Sequence, residues 1–123
     1  MAKFLFIGLG GFVGAILRYW LSGWVYGLSQ GGFPAGTLVV NAVGSFVLGL
    51  VIGVIENHIV PAHLQLFLTI GLLGAFTTFS TFSFETYALI EVGSFGKAVI
   101  NILASVGVGL LAVMAGFLVG RSI

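Results

Sequence analysis

The most constraining feature of the sequence is an apolar stretch that polar residues interrupt where a membrane-spanning helix is expected. The stretch GLLGAFTTFSTFSFE, residues 71–85, holds two glycines, a cluster of hydroxyl side chains and Glu85. Hydrocarbon supplies no water to backbone N–H and C=O groups, so a helix that opens there needs a protein or ion partner for the freed groups. The stretch therefore predicts a membrane helix interrupted beside a site for an ion.

The composition places the chain among membrane proteins. Of its 123 residues 59% are hydrophobic and 6% are charged, whereas a soluble domain carries about a quarter charged residues. The absence of cysteine excludes disulfides, zinc–thiolate sites and iron–sulfur clusters. A net charge of +1 without a basic run gives no reason to expect a nucleic-acid partner. The sequence contains no nucleophile–base pair, phosphate-binding loop or metal-ligand cluster, so it does not predict an enzyme.

Four segments are long enough to cross a bilayer, which takes about 20 apolar residues per helix. They are residues 3–26, 35–55, 62–91 and 97–119. The third is the longest and contains the interrupted stretch. No linker or domain boundary separates the segments, so residues 1–123 are predicted to form one domain. The expected fold is an all-α membrane protein of four transmembrane helices with the third helix broken.

Small residues recur at four-residue spacing in three of the spans. The series are Gly10 and Gly14; Ser45, Gly49 and Gly53; and Gly116 and Gly120. Such spacing lets helix backbones approach closely in membranes, although 20 glycines also produce pairs by chance. We predict close helix packing at these positions.

Positive charge gives the chain almost no preferred orientation. Four spans place both ends on one side, with Lys3 and Arg121, while the other side has Lys97 and, if it counts, Arg18. Lys and Arg near the spans set orientation, so a balance this even predicts insertion in both directions and antiparallel pairing. A closed twofold homodimer would also bury the small-residue faces. The alternative is that very few charges give a noisy signal.

Aromatic residues cluster near the end of the first span. They are Tyr19, Trp20, Trp24 and Tyr26. This pattern is typical of an interfacial belt. It predicts that Arg18 lies within reach of the headgroups or of a water-filled vestibule.

Polar side chains form a stripe on the second span and another on the fourth. The stripes are Thr37, Asn41 and Ser45 on the second span, and Asn101, Ser105 and Gly109 on the fourth. Residues at this spacing share one helix face. Either the stripes bond helices together, which is common in membranes, or they line a narrow polar path. Neither contains Lys, so a path would offer neutral donors, which suit a small anion that must bind and leave.

The broken third span adds two aromatic rings and an acid. Phe79 and Phe82 share a face if the helix resumes there, and ring edges attract anions because they are positive. Ordinary core packing is the alternative for these rings. Glu85 is a functional candidate because an ionisable group in a membrane is expensive. The Thr37 hydroxyl is one way to accommodate it, and a position nearer an interface is another.

The break also predicts free carbonyl groups near Gly74 and Thr77. Carbonyl oxygens at half-helix ends coordinate small cations such as sodium. A twofold axis through the break would bring together four such oxygens from two chains. The alternative is a kink that its own hydroxyl groups satisfy.

Three segments of the sequence resemble the Fluc (CrcB) fluoride channel family. They are GGFVGAILRY (residues 10–19), GTLVVNAVGSF (residues 36–46) and TTFSTFSFE (residues 77–85), in the family's order and spacing. The resemblance implies a dual-topology homodimer in the bacterial inner membrane, with two antiparallel pores that pass fluoride passively out of the cytoplasm. It also implies a structural sodium ion held by carbonyls that match Gly74 and Thr77 of both chains.

The resemblance further assigns residues to the fluoride path. It implies an aromatic pair at Phe79 and Phe82, a pore asparagine at Asn41, and a basic residue near a vestibule at Arg18. Thr37 and Glu85 match a polar pair beside the path, and Ser80 and Thr81 lie in the same stretch. The family's last helix often carries a tyrosine in a polar track, whereas this chain has Asn101 and Ser105 there.

Two other functions are compatible with four short spans. Small dual-topology multidrug exporters bind cations and protons through a glutamate in their first span, but the first span here offers Arg18 and no acid. A non-transporting helical subunit would leave the polar stripes unexplained.

Overall fold

A computed structural model describes all 123 residues, and every regular element in it is a helix. The elements are α1 (Ala2–Leu28), α2 (Ala35–Asn57), α3 (residues 62–76), α4 (Phe79–Glu91) and α5 (Phe95–Ser122). α3 and α4 together form the third span, and all four spans are long and apolar enough to cross a membrane. The four predicted spans are confirmed, with α1, α2 and α5 each extending a few residues further.

The third span changes its winding before it breaks. α3 is α-helical over Ala62–Leu66, π-helical over Phe67–Leu73 and α-helical again over Gly74–Phe76. The backbone is then extended at Thr77 and Thr78, with ψ angles of 156° and 121°, before α4 begins. The predicted break is therefore confirmed. The π-helical segment was not predicted, because its i→i+5 hydrogen bonds follow no simple sequence pattern.

Contacts between helix ends define how the spans run. Lys97 Nζ donates to the Gly31 carbonyl oxygen at 2.9 Å, and Asn57 Nδ2 donates to the Arg121 carbonyl oxygen at 2.7 Å. These contacts join the starts of α2 and α5 at one end of the bundle and their ends at the other, so the two helices are parallel. The rings of Phe6 and His63 lie 4.8 Å apart at the second end. Both chain termini therefore lie at one end, as predicted.

α2 and α5 pack backbone to backbone. A Cβ atom at Gly49 would overlap the Val113 carbonyl oxygen, and one at Gly116 would overlap the Phe46 carbonyl oxygen. Gly53 and Gly120 meet the backbone of the opposite helix in the same way. The predicted close packing at these small residues is confirmed.

α1 packs in the same manner on the π-helical part of α3. A Cβ atom at Gly71 would lie 2.7 Å from the Ile7 carbonyl oxygen and 3.0 Å from the Cα of Gly10. One at Gly14 would overlap the Leu72 carbonyl oxygen. Two tight helix pairs, α1 with α3 and α2 with α5, thus hold the break between them.

Most of the chain's surface is apolar. Only 19 of the 123 residues are buried within the chain, and the exposed residues include large hydrophobic side chains on every helix. In a bilayer this surface can face hydrocarbon or another copy. The polar residues at the break are the ones that hydrocarbon cannot satisfy.

Candidate functional site

One side chain satisfies the backbone where the third span is broken. Asn41 Nδ2 donates to the Thr78 carbonyl oxygen at 3.0 Å, and the Thr78 N–H donates to Asn41 Oδ1 at 2.8 Å. A primary amide carries both a donor and an acceptor, so it can replace two backbone partners at once. Asn41, on α2, therefore fixes the extended residue between the two half-helices.

Hydroxyl groups satisfy the backbone on either side of this residue. Thr78 is the N-cap of α4, since its Oγ1 accepts from the Thr81 N–H at 3.2 Å and donates to Thr81 Oγ1 at 3.0 Å. Ser80 Oγ lies 3.4 Å from Thr78 Oγ1. Before the break, the Thr77 N–H and hydroxyl both donate to the Leu73 carbonyl oxygen, at 3.1 Å and 2.9 Å.

These bonds leave two carbonyl groups without the donors that a continuous helix would supply. In an α-helix the Gly74 carbonyl would accept from the Thr78 N–H, and the Thr77 carbonyl from the Thr81 N–H. Here Asn41 takes the first donor and the Thr78 side chain takes the second. Gly74 is also exposed on the surface of the chain. The hydroxyl groups thus satisfy only part of the kink, and the two carbonyls are suitable ligands for a hard cation.

A cavity of about 300 Å³ adjoins the break. We call it the pore cavity; its walls include Asn41, Ser45, Thr78, Phe79, Phe82 and Ser105. The ring centroids of Phe79 and Phe82 are 5.7 Å apart, with their planes tilted by 46°. The Ser105 hydroxyl is buried and has no hydrogen-bond partner. The structure therefore brings part of each polar stripe, Asn41 and Ser45 of α2 and Ser105 of α5, together with the aromatic pair at one cavity.

Asn101 lies apart from this cavity. It is 1% exposed, and its amide donates to Thr86 Oγ1 at 2.9 Å, while the Thr86 hydroxyl donates to the Phe82 carbonyl oxygen at 2.8 Å. Asn101 and Thr86 thus link α5 to α4. Bonding between helices is one of the two roles that the sequence left open for the polar stripes. The assignment of Asn101 to the fluoride path stays a prediction. One of its amide protons is already donated to Thr86.

Glu85 is held by hydroxyl groups from two helices. The Thr37 hydroxyl donates to Glu85 Oε1 at 2.9 Å, which confirms the predicted contact. The Tyr26 hydroxyl also donates to Oε1 and lies 2.9 Å from Thr37 Oγ1. Sequence reasoning missed this role of Tyr26, because Tyr26 falls within the aromatic belt and lies 59 positions from Glu85. Glu85 also lines a cavity of about 390 Å³ beside the loop between α1 and α2, which we call the outer cavity.

Arg18 lines a third cavity, of about 190 Å³, together with Thr37, Thr78 and Thr81. We call it the inner cavity. Arg18 forms no ion pair; the one ion pair in the chain joins Arg121 and Glu56 at 3.5 Å, at the far end of the bundle. The guanidinium is thus an uncompensated positive charge beside the break, where it can attract an anion.

Four apolar spans and a broken third span, with polar side chains in the cavities beside the break, define a multi-pass membrane protein. The model of the family described as "CrcB-like protein, Camphor Resistance (CrcB)" matches residues 5–117. The chain therefore belongs to the CrcB family.

Relatives with printed functions match over nearly the whole chain. A "Fluoride-specific ion channel FluC" from Geobacter sulfurreducens is 45% identical over 100% of both chains. "Fluoride-specific ion channel FluC 1" from Methanosarcina acetivorans is 51% identical over 94% of this chain and 88% of its own. A "Fluoride-specific ion channel FluC" from Thermus thermophilus is 42% identical over 98% of this chain and 95% of its own. These relatives are named as ion channels and not as enzymes. Family and spans make the chain a multi-pass protein of the bacterial inner membrane.

Replacing Asn41 by Leu should destabilise the fold, because it leaves the Thr78 N–H and carbonyl without partners in an apolar setting. Each unsatisfied buried group costs about 1–3 kcal/mol. We expect a lower melting temperature in detergent and faster hydrogen exchange of the Thr78 amide. Ser45→Ala is the control, since Ser45 lines the same cavity without touching the Thr78 backbone. Equal stability and equal Thr78 exchange in the two variants would contradict the role given to Asn41.

Proposed function

We propose that the chain is a fluoride-selective channel through which the anion leaves the cytoplasm passively. The observation that supports it most is the pore cavity, where Phe79, Phe82, Asn41 and Ser105 meet in a chain whose relatives are named fluoride-specific ion channels. The buried Ser105 hydroxyl has a proton to donate and no protein acceptor. Aromatic edges add a weak positive potential without a fixed charge. Such a site can bind a small anion and release it again.

Passive flow suits the chemistry of fluoride. Hydrogen fluoride crosses lipid as a neutral molecule and ionises inside the cell, and the anion is then trapped. The negative interior potential drives an anion outward through any selective opening, at about 2.3 kcal/mol per charge for each 100 mV. An open channel is therefore sufficient for export.

We propose further that two copies assemble antiparallel, each contributing to two pores. Phe79 is 79% exposed, and Ser80 and Thr81 are exposed beside it at the break. Polar groups at this point cannot face lipid without cost, so a second copy is the suitable cover. Lys3 and Arg121 lie at one end of the bundle and Lys97 at the other, so the charges allow both orientations.

A sodium ion is proposed to join the two copies at the break. The carbonyls of Gly74 and Thr77 lack their helical donors, and two copies would supply four such oxygens. When bound, the ion would supply the positive partner that these carbonyl oxygens lost with their helical N–H donors. Its role would be structural, because its ligands are backbone carbonyls beside Thr78, whose extended conformation Asn41 fixes.

The remaining assigned residues are proposed to guide fluoride to the pore cavity. Arg18 would raise the local anion concentration in the inner cavity. Thr37 and Glu85 form a polar pair between the outer cavity and the break. Ser80, Thr81 and Asn101 complete the polar surroundings assigned to the path.

Purified protein in liposomes should release trapped fluoride but not chloride, measured with ion-selective electrodes. A channel requires no proton gradient, so collapse of the gradient should leave the efflux unchanged. Empty liposomes control for leakage of hydrogen fluoride. Proton-coupled export of organic cations would indicate a multidrug exporter, and the absence of any transport would indicate a non-transporting subunit. Either result rejects the channel.

Replacing Phe79 or Phe82 by Ile should reduce fluoride efflux by about tenfold or more, because the positive ring edges are lost while apolar bulk remains. Phe84→Ile is the matched control, since Phe84 lies on the same helix, is 70% exposed and lines none of the three cavities. Size-exclusion chromatography checks that all variants remain assembled. Normal fluoride efflux through an assembled Phe82→Ile protein would show that the ring edges do not contribute to conduction.

Assembly should depend on sodium. Protein refolded in sodium salts is expected to form the dimer and conduct fluoride, whereas protein refolded with N-methylglucamine as the only cation should remain monomeric. Readdition of sodium should restore the dimer. Full assembly and efflux in sodium-free protein, with elemental analysis finding no bound sodium, would reject the site.

A further inference from the structure

Tyr26 joins three helices at one point. Its hydroxyl, near the end of α1, donates to Glu85 Oε1 on α4 and lies 2.9 Å from Thr37 Oγ1 on α2. Thr37 donates to the same carboxyl oxygen at 2.9 Å. One oxygen of Glu85 is therefore held from two helices, whereas Oε2 is buried without a partner. Of the carboxyl's two anchors, the tyrosine is the one to which no role in the ion path has been assigned.

The position of the Tyr26 ring is set by Gly36. A Cβ atom at Gly36 would lie 2.6 Å from Cε2 and 2.8 Å from Cδ2 of the ring, and 2.7 Å from the Ser22 carbonyl oxygen. A larger residue would push α1 and the ring away from α2. The next residue is Thr37, so the close approach at Gly36 also brings the two hydroxyl groups together. The ring lies directly against Gly36, and its hydroxyl donates to Glu85.

Tyr26 also lies between two cavities, one beside the loop that precedes α2 and one beside the break. The outer cavity is lined by Tyr26 and Glu85 with residues of the loop 29–34 and of α4. The inner cavity is lined by Tyr26 with Arg18 and residues of the break. Tyr26 is the one residue that the two cavities share. Glu85 and Arg18 are the only charged residues that line either of them.

We propose that Tyr26 is a positioning residue for Glu85, whose carboxylate it holds at the seam between α1 and α2. A released glutamate regains its rotamers, and a carboxylate that swings into either cavity would repel a passing anion. Tyr26 thus lowers the barrier for fluoride between the outer and inner cavities. This inference rests on the proposed function, because it requires that fluoride move through these cavities.

The hydrogen bond is tested by infrared spectroscopy on the whole protein with 13C-labelled glutamate side chains. Tyr26→Phe keeps the ring and removes the hydroxyl, so one carboxyl band should shift, and the Glu85→Gln variant identifies that band by its loss. Tyr87→Phe is the matched control, since Tyr87 lies on α4 beside Glu85, is 57% exposed and lines neither cavity. A Glu85 band that does not move in Tyr26→Phe overturns the proposal, whatever the protein conducts.

The effect on the ion is tested by fluoride efflux from liposomes. Tyr26→Phe should slow efflux about tenfold, the low end of what the loss of a hydrogen bond to a charged group produces, while Tyr87→Phe conducts normally. In a Glu85→Gln background the same change should alter efflux by no more than about twofold, because no charge is released. An equal loss in both backgrounds would assign Tyr26 a packing role only and overturn the proposal.

The outcomes separate this inference from the proposed function. If the unmodified protein conducts no fluoride, the proposed function fails and this inference fails with it. If the unmodified protein conducts and Tyr26→Phe conducts equally well, the inference alone fails, even when the carboxyl band has shifted. If Glu85→Gln by itself stops conduction, the double variant cannot be compared, and the Tyr26→Phe variant alone decides. Slower efflux together with a shifted carboxyl band in Tyr26→Phe supports the inference. If either change is missing, the inference is rejected.

Discussion

The structure depends on the two hydrogen bonds between the Asn41 side chain and the Thr78 backbone. A helix broken in hydrocarbon exposes donors and acceptors that cost several kcal/mol each when nothing meets them. Asn41 meets one of each with a single amide, so Thr78 can stay extended. Without this partner the extended conformation of Thr78 would leave its N–H and carbonyl unsatisfied, and the break, the free carbonyls and the pore cavity would be destabilised together. Gly44 matters for the same reason: a Cβ atom there would overlap the Thr77 methyl group, so the glycine lets α2 come close enough for Asn41 to reach the break.

Much of this could be predicted from the sequence. Hydropathy and length predicted the four spans, since each must fill the bilayer. The hydroxyl cluster predicted the break because such residues are out of place in a plain membrane helix. Small-residue spacing predicted the two glycine contact faces, although it could not say which helices would pair. The Thr37–Glu85 contact was one of two options that the sequence offered for an acid at membrane depth, and the structure shows it.

Other features depend on three-dimensional proximity and leave no local signal. The π-helical segment Phe67–Leu73 reads as ordinary apolar sequence. Tyr26 matched the pattern of an interfacial aromatic, and nothing near it in the sequence points to a carboxyl group 59 positions away. Asn101 shared a helix face with Ser105 in the pattern, yet a partner on α4, Thr86, engages its amide. Spacing along one helix identifies a face, but the neighbouring helix decides what each residue on that face does.

In the proposed channel the chain by itself would build only part of a pore, and this follows from its size. Four spans bury 19 residues and leave Phe79 mostly exposed at the edge of the pore cavity. A closed polar path needs walls on all sides, and lipid cannot provide one of them. An inverted copy would supply the missing wall with the same side chains, so that one short sequence would complete two paths and one cation site. In the proposed assembly the break would have a double use: its carbonyls would face the cation, while Asn41 and Thr78, which line the pore cavity, would face the anion. Such a cation site and anion path could lie so close together because the carbonyl and amide ends of a peptide group point in opposite directions.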